Sequence, residues 1–288
     1  MQKCRILCVL LCLLVMNANG IWAQTTEFGP EKGALVIVGG AMQDPTILER
    51  FIQLAGGPEA PIVIIPTAGG GDEYDRYWPG ARRFKEAGIV NLTILHTTDR
   101  QVADSEEFVK PIQAARGVFF TGGRQWRLAD AYLHTRTHAE LNRVLQRGGV
   151  IGGSSAGATI QGSFLARGDT KTNTIMIGDH LEGMAFLKNV AIDQHLLKRN
   201  RQFDLLEVIR EHPDLLGIGI DEDTAIVVRG DRFDVIGQGY VAIYDSGRHI
   251  PPQGDFYFLA PGDRFDLKTR EASRPSRTME PLERIKKK

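Results

Sequence analysis

Gly148-Gly-Val-Ile-Gly-Gly-Ser-Ser-Ala-Gly-Ala-Thr159 decides how the rest of this chain is read. It begins as a short apolar run, passes through a cluster of tiny residues, and continues as helix-compatible sequence. That is the pattern of a buried strand turning sharply into a helix. At the apex, Gly153-Ser154-Ser155-Ala156-Gly157 matches G-x-S-x-G, the turn that presents a serine nucleophile. Strand and helix approach closely there, so the neighbours must lack bulk. Amides at the start of the following helix would favour a developing oxyanion. A glycine-rich turn whose serine only caps a helix has the same letters. Ser155 therefore needs partners elsewhere in the chain.

Upstream, apolar strands at 34–38, 61–65, 92–95, 118–120 and 150–151 alternate with helical stretches. The helices are read at 45–54, in a segment ending at 87, at 106–115, and as one long pattern between 126 and 145. Continuous apolar strands alternating with amphipathic helices imply a mostly parallel sheet covered on both faces, a three-layer α/β/α sandwich. Strand ends carry Gly39-Gly40, Gly69 to Gly71, Gly122-Gly123 and Gly152-Gly153, and ligands bind beyond such ends. None forms a phosphate loop or a dinucleotide fingerprint. After Gly217, short runs at 217–220, 224–228, 233–236, 240–244 and 256–259 predict the sheet's last strand and antiparallel additions at its edge.

The chain has 288 residues, 42% hydrophobic and 24% charged, with 35 basic against 35 acidic side chains. That balance gives no footprint for nucleic acid or an anionic membrane surface. Residues 1–23 differ from the rest. Lys3 and Arg5 precede an apolar run over 6–16, followed by small and polar residues with Gly20 or Ala23 as the last before cleavage. This is a signal-peptide pattern, and the run is shorter than the roughly 20 residues a membrane span needs. It predicts an exported protein, periplasmic or secreted, without stable membrane insertion after cleavage. Cys4, Cys8 and Cys12 are the only cysteines. The exported part thus has no disulfide, no cysteine–zinc site and no thiol nucleophile. The main domain is read as 24–268, with a basic tail over 269–288.

A serine nucleophile needs a base, and the base an orienting acid. His195 ends the strand-like Val190-Ala-Ile-Asp-Gln-His195, at the edge where ligands bind. Asp221, Glu222 and Asp223 follow another apolar run, and residue type alone does not choose among them. An esterase of the α/β-hydrolase type would instead use Ser155, Asp221 or Asp223, and His249, in the order serine, acid, histidine. A binding protein could use the same cleft without catalysis. His134 and His138 share a helical spacing but lack a third ligand, so no metal site is predicted. Trp78 and Trp126 fit a core better than a cleft lining.

Phe120-Thr-Gly-Gly-Arg-Gln125, Gly153-Ser-Ser-Ala-Gly-Ala158, Asp193-Gln-His195 with Arg199 and Arg201, and Gly217-Ile-Gly-Ile-Asp-Glu-Asp-Thr-Ala225 occur in one order. In this the chain resembles cyanophycinase and related exopeptidases of the S51 serine peptidase family, over roughly residues 33–268. The resemblance implies a class I glutamine amidotransferase-like fold with a flavodoxin-like sheet. It implies a triad of Ser155, His195 and Glu222, with the oxyanion held by N–H groups of Ala156 and of the Gly122-Gly123 turn. It assigns substrate binding to Gln125, Asp193, Gln194, Arg199 and Arg201, with no metal or organic cofactor, and it implies a homodimer. The substrate would be a peptide or a cyanophycin-like polymer, whose unit is a β-linked Asp-Arg. In residue terms, arginines beyond the base can clamp a free carboxylate, and Asp193 can receive a cationic side chain. Two positions depart from the family pattern: Asp204 stands where a third arginine is usual, and Arg124 where an aspartate is usual. Both reverse charge near the presumed specificity pocket.

Overall fold

All of β1 (Ala34–Val38) is buried, and its side chains alternate between two cores. Ala34, Val36 and Val38 enter one, Leu35 and Ile37 the other. β2 (Ile62–Ile65) divides in the same way. Strands apolar on both faces belong at the centre of a covered parallel sheet. In the computed structural model, which describes residues 26–75, 77–246 and 254–275, both are interior strands of one sheet, β1 at its middle and β2 next to its edge strand. β1 pairs in parallel with β5 (Val150–Ser154), β5 with β4 (Gly117–Phe120), β4 with β2, and β2 with β3 (Leu92–Ile94). Beyond β1 the sheet continues antiparallel through β9 (Thr224–Arg229), β10 (Arg232–Gly237), β13 (Arg264–Asp266) and β14 (Glu271–Ser273), making nine strands.

Helices α1 (Pro45–Ala55) and α2 (Arg82–Glu86) cover one face through Ile47, Leu48, Phe51, Ile52 and Phe84. Local chemistry sets the limits of α1. Asp44 accepts from Thr46 N–H at its start, Pro45 opens its first turn, and Gly56 closes it at φ 105°. The short α3 (Arg100–Ala103) precedes α4 (Glu106–Ala114). Together with α5 (Gln125–Tyr132) and α6 (Arg136–Gln146), α4 covers the opposite face. The turn at Ser155 leads into α7 (Ala156–Thr159).

The predicted α/β sandwich, parallel at its centre with antiparallel strands at its C-terminal edge, is the fold observed, with four differences of detail. First, residues 216–220 are not the last strand of the main sheet. They form β8 (Leu216–Ile220) in a second, five-stranded sheet, parallel to β7 (Leu187–Gln194), which is itself parallel to β6 (Gly162–Phe164). β11 (Val241–Tyr244) and β12 (Tyr257–Leu259) complete it antiparallel. Leu216, Ile218 and Ile220 join the core shared with the main sheet. On the outer side, α8 (Leu205–Glu211) packs Leu205, Val208 and Ile209 against Ala191, Ala242 and Tyr244. Second, the long helical pattern between 126 and 145 is two helices. Leu133 is extended, His134 sits at φ 59°, and Thr135 Oγ1 donates to Tyr132 O at 2.7 Å. Third, the helix ending near 87 is only α2 after a 3-10 turn at Pro79–Ala81, because Pro79 and Gly80 shorten it. Fourth, β14 pairs with β13 past residue 268, so the sheet takes in the start of the predicted tail. The predicted leader over 1–23, the tail from 276 and His249 lie outside the described residues. Among the described residues no helix is long and apolar enough to cross a membrane.

Candidate active site

Ser155 occupies the junction of β5 and α7 at φ 57° and ψ −114°, a conformation that side chains other than glycine adopt only under constraint. Its amide donates to Val38 O at 3.0 Å, and its carbonyl accepts from Ala158 and Thr159 N–H. Strand and helix are thereby locked on either side of it. A Cβ on Gly157 would lie 2.3 Å from Phe120 O, which is why the position after Ala156 carries no side chain. The helix that follows is a single turn, so its summed dipole is small. Individual N–H groups must do the work assigned to it.

Two further segments meet Ser155. His195 follows the end of β7 at φ 54°, and its amide donates to Gly39 O at 2.9 Å. Ser155 Oγ donates to His195 Nε2 at 2.8 Å, and His195 Nδ1 donates to Glu222 Oε1 at 2.6 Å. Asp223 N–H donates to Gly40 O at 3.1 Å. The end of β1 therefore acts as a jig. Val38 holds the serine, Gly39 the histidine, and Gly40 the turn that carries the glutamate. Gly40 itself, at φ 147°, lies against the imidazole; a Cβ there would be 2.4 Å from His195 Nδ1.

The three neighbouring carboxylates have separate occupations. Asp221 Oδ1 accepts from Leu197 and Lys198 N–H at 3.0 Å each. Asp223 Oδ1 accepts from the amides of Gln43 and Asp44. Glu222 is the one that reaches His195. The acids of the esterase alternative are thus committed to backbone amides.

His195 is only 7% exposed, and burial pushes its pKa below the ordinary imidazole range. The Glu222 hydrogen bond opposes that shift, and the nearby charges of Arg199 and Arg201 add to it. The ring is therefore neutral at neutral pH and able to take a proton from Ser155. Gly122 adjoins the serine: a Cβ on it would stand 3.3 Å from Ser155 Cβ. Among the described residues, no turn or loop backbone bond is made by the amides of Gly122, Gly123 or Ala156. A cleft of about 650 Å³ opens beside the turn, lined in part by Met42, Trp78, Arg82, Thr121, Gly122 and Ser154. Trp78 thus lines the cleft as well as packing on the core, whereas Trp126 lies beside His180 and Arg127.

The residues that the resemblance assigns to substrate binding separate into two groups. Arg199 is exposed, near enough to His195 for its charge to act on the ring. Gln125, Asp193, Gln194 and Arg201 are buried and bonded within the chain. Gln125 Nε2 donates to Ala166 O and Arg167 O at 2.8 and 2.9 Å. Arg201 Nη1 donates to Gln194 Oε1 at 3.0 Å and to Gln194 O at 3.2 Å. Asp193 does receive a cationic side chain, that of Arg167. Arg167 Nε and Nη2 donate to its two oxygens at 2.7 and 2.9 Å.

Arg167 escaped the sequence reading. The available signal was Asp204, a carboxylate where the resemblance expects an arginine; Arg167 Nη2 donates to it at 2.5 Å. Arg124, the other reversal, donates from Nη2 to Asp169 O. His134 bonds Glu182 and His138 bonds Met184 O. Among the described residues no group of three His, Cys, Asp or Glu side chains is placed to hold a metal ion.

The same chain order occurs in known proteins. The model of Peptidase family S51 matches residues 35–236. The chain is 34% identical over 225 residues to the cyanophycinase of Geminocystis herdmanii, covering 75% of this chain and 81% of that one. It is 36% identical over 228 residues to the cyanophycinase of a Nostoc species, covering 74% of each. Among solved structures, a peptidase from an acI-B1 Actinobacterium superposes with a TM-score of 0.62 at 27% identity, covering 82% of this chain and 97% of that one.

Proposed function

From the premise that this chain belongs to peptidase family S51, and is a serine-type exopeptidase, we propose that it is an exported enzyme cleaving aspartyl, foremost β-aspartyl, peptide bonds. The observation that carries the mechanism is the continuous chain from Ser155 Oγ through His195 to Glu222 on a strained turn. The bond class is what the resemblance to cyanophycinases implies, through a polymer whose unit is a β-linked Asp-Arg, and the chain is similar to two proteins of that name. The export comes from the signal pattern of residues 1–23.

In the acylation step, Ser155 Oγ attacks the scissile carbonyl carbon as His195 Nε2 takes its proton. Glu222 fixes the tautomer with Nδ1–H toward itself and stabilises the imidazolium that forms. The carbonyl oxygen becomes an oxyanion among the N–H groups of Ala156, Gly122 and Gly123, where removal of one donor typically costs about 10²–10³ in rate. Collapse breaks the C–N bond, and His195 returns the proton to the leaving amine. Water then attacks the acyl ester with His195 again as base, releasing the acid and restoring Ser155. Arg199, exposed and near enough to act on His195, suits a terminal carboxylate.

The test is hydrolysis by the mature protein of cyanophycin, β-Asp-Leu, α-Asp-Leu and a simple ester, with Ser155→Ala as control. Cleavage of β-aspartyl substrates that vanishes in the control is the expected result. Turnover of the ester alone, or turnover that survives Ser155→Ala, would overturn the proposal.

A further inference from the structure

We infer that Arg83 is a positioning residue for the triad: from α2, its guanidinium clamps the strained turn after β1 on which His195 and Glu222 are hung. This rests on the Ser155–His195–Glu222 mechanism proposed above.

Gly40, Ala41 and Met42 stand at φ 147°, 55° and 54°. Alanine and methionine enter the left-handed region only where the surrounding structure holds them there. Inside the turn, Met42 N–H donates to Gly40 O at 2.6 Å. Two arms of the site depend on this stretch. Gly39 O accepts the amide of His195, and Gly40 O accepts that of Asp223. Asp223 Oδ1 reaches back to the amides of Gln43 and Asp44. Relaxation of φ at 41 or 42 would swing these groups against one another, and the imidazole and the Glu222 carboxylate with them.

Arg83 supplies a hold from outside the turn. Its Nη1 donates to Ala41 O at 2.9 Å and also to Met42 O. One charged nitrogen bridging two successive carbonyls fixes both peptide planes, more firmly than a neutral donor does. The clamp has a rigid base. Phe84, the next residue of α2, is 3% exposed and meets Phe119 of β4 at 5.1 Å between ring centres. Ala41, Met42 and Arg83 line the same cleft as Gly122 and Ser154. The clamp therefore sits beside the reacting centre, and its bonds go to backbone, one step removed from the triad. Arg82 shows the contrast. It is exposed and pairs with Glu86 along its own helix, the ordinary use of a surface arginine.

The experiment compares Arg83→Ala and Arg83→Lys with the parent protein. It reads kcat and KM on β-Asp-Leu, the rate of Ser155 labelling by a fluorophosphonate, and the downfield proton resonance of the His195 Nδ1–H shared with Glu222. Arg83→Ala should lose about tenfold or more in kcat and in labelling rate, with KM within about threefold. Its downfield resonance should shift or vanish while thermal unfolding stays cooperative. Guanidinium ion at millimolar concentration should restore part of the rate to Arg83→Ala and none to the parent. Arg83→Lys, which keeps a cation facing the carbonyls, should retain more activity than Arg83→Ala.

A labelling rate for Arg83→Ala within about threefold of the parent overturns the inference, and so does a resonance that stays in place. A rise in KM alone overturns it too, because Arg83 would then be a substrate contact in the cleft. A parent that labels at Ser155 without cleaving β-Asp-Leu refutes the bond class only, and labelling and resonance then decide on Arg83. A parent that does neither overturns the mechanism and this inference with it. Should Arg83→Ala fail to fold, Arg83→Gln, which keeps the stem and an amide donor without the charge, is read by the same criteria.

Discussion

Gly40→Ala should disable catalysis without unfolding the protein. Gly40 lies at φ 147°, and an added Cβ would stand 2.3 Å from His195 Cε1 and 2.4 Å from Nδ1, where ordinary contact begins at 3.4 Å. The glycine cannot easily retreat, because its carbonyl accepts from both Met42 and Asp223 N–H. The imidazole must therefore give way by about 1 Å. It leaves the line between Ser155 Oγ at 2.8 Å and Glu222 Oε1 at 2.6 Å. A misplacement of about 1 Å costs roughly 10²-fold in rate, or about 2.7 kcal/mol of transition-state stabilisation. The assay is kcat on β-Asp-Leu, with the rate of Ser155 labelling by a fluorophosphonate as a second readout. Thermal unfolding checks that the fold survives. A Gly40→Ala enzyme within about threefold of the parent in both rates would refute the claim that the end of β1 positions the histidine.

Glu222→Gln should lower kcat by about 10⁴-fold, since the amide no longer holds His195 in the tautomer that leaves Nε2 free to accept; Asp221→Asn and Asp223→Asn, whose carboxylates serve backbone amides, should fall far less in the same assay. The acid limb of kcat/KM should lie below the ordinary histidine range, because burial holds His195 neutral. Arg199→Gln removes a charge that disfavours the imidazolium, so its pKa rises and the limb should move to higher pH; a limb that stays or moves down would contradict the assignment. Phe51→Ala deletes a fully buried ring in edge contact with Phe119 at 5.3 Å. It should cost about 3–5 kcal/mol in denaturant unfolding, whereas a loss below about 1 kcal/mol would mean that the ring is not part of the packed core.

The sequence by itself determined the parallel half of the main sheet, the tight strand-to-helix turn at Ser155 and the place of His195 at the end of a strand. These are local properties. Continuous apolar runs admit burial on both faces, and a cluster of residues without bulk admits a tight strand-to-helix junction. It did not determine which of Asp221, Glu222 and Asp223 reaches His195, because all three are equally acidic neighbours. Only the path of the chain, which turns Asp221 toward the amides after His195 and Asp223 toward those of Gln43 and Asp44, leaves Glu222 facing the ring. Nor could spacing show that 216–220 belongs to a second sheet, since a strand's pattern states what it buries and not against which partner. The fate of Asp193 was least legible. Asp193, Arg167 and Asp204 lie on β7, after β6 and before α8, and a buried charge selects its partner by proximity in space. Only the tertiary structure brings the arginine to the acid.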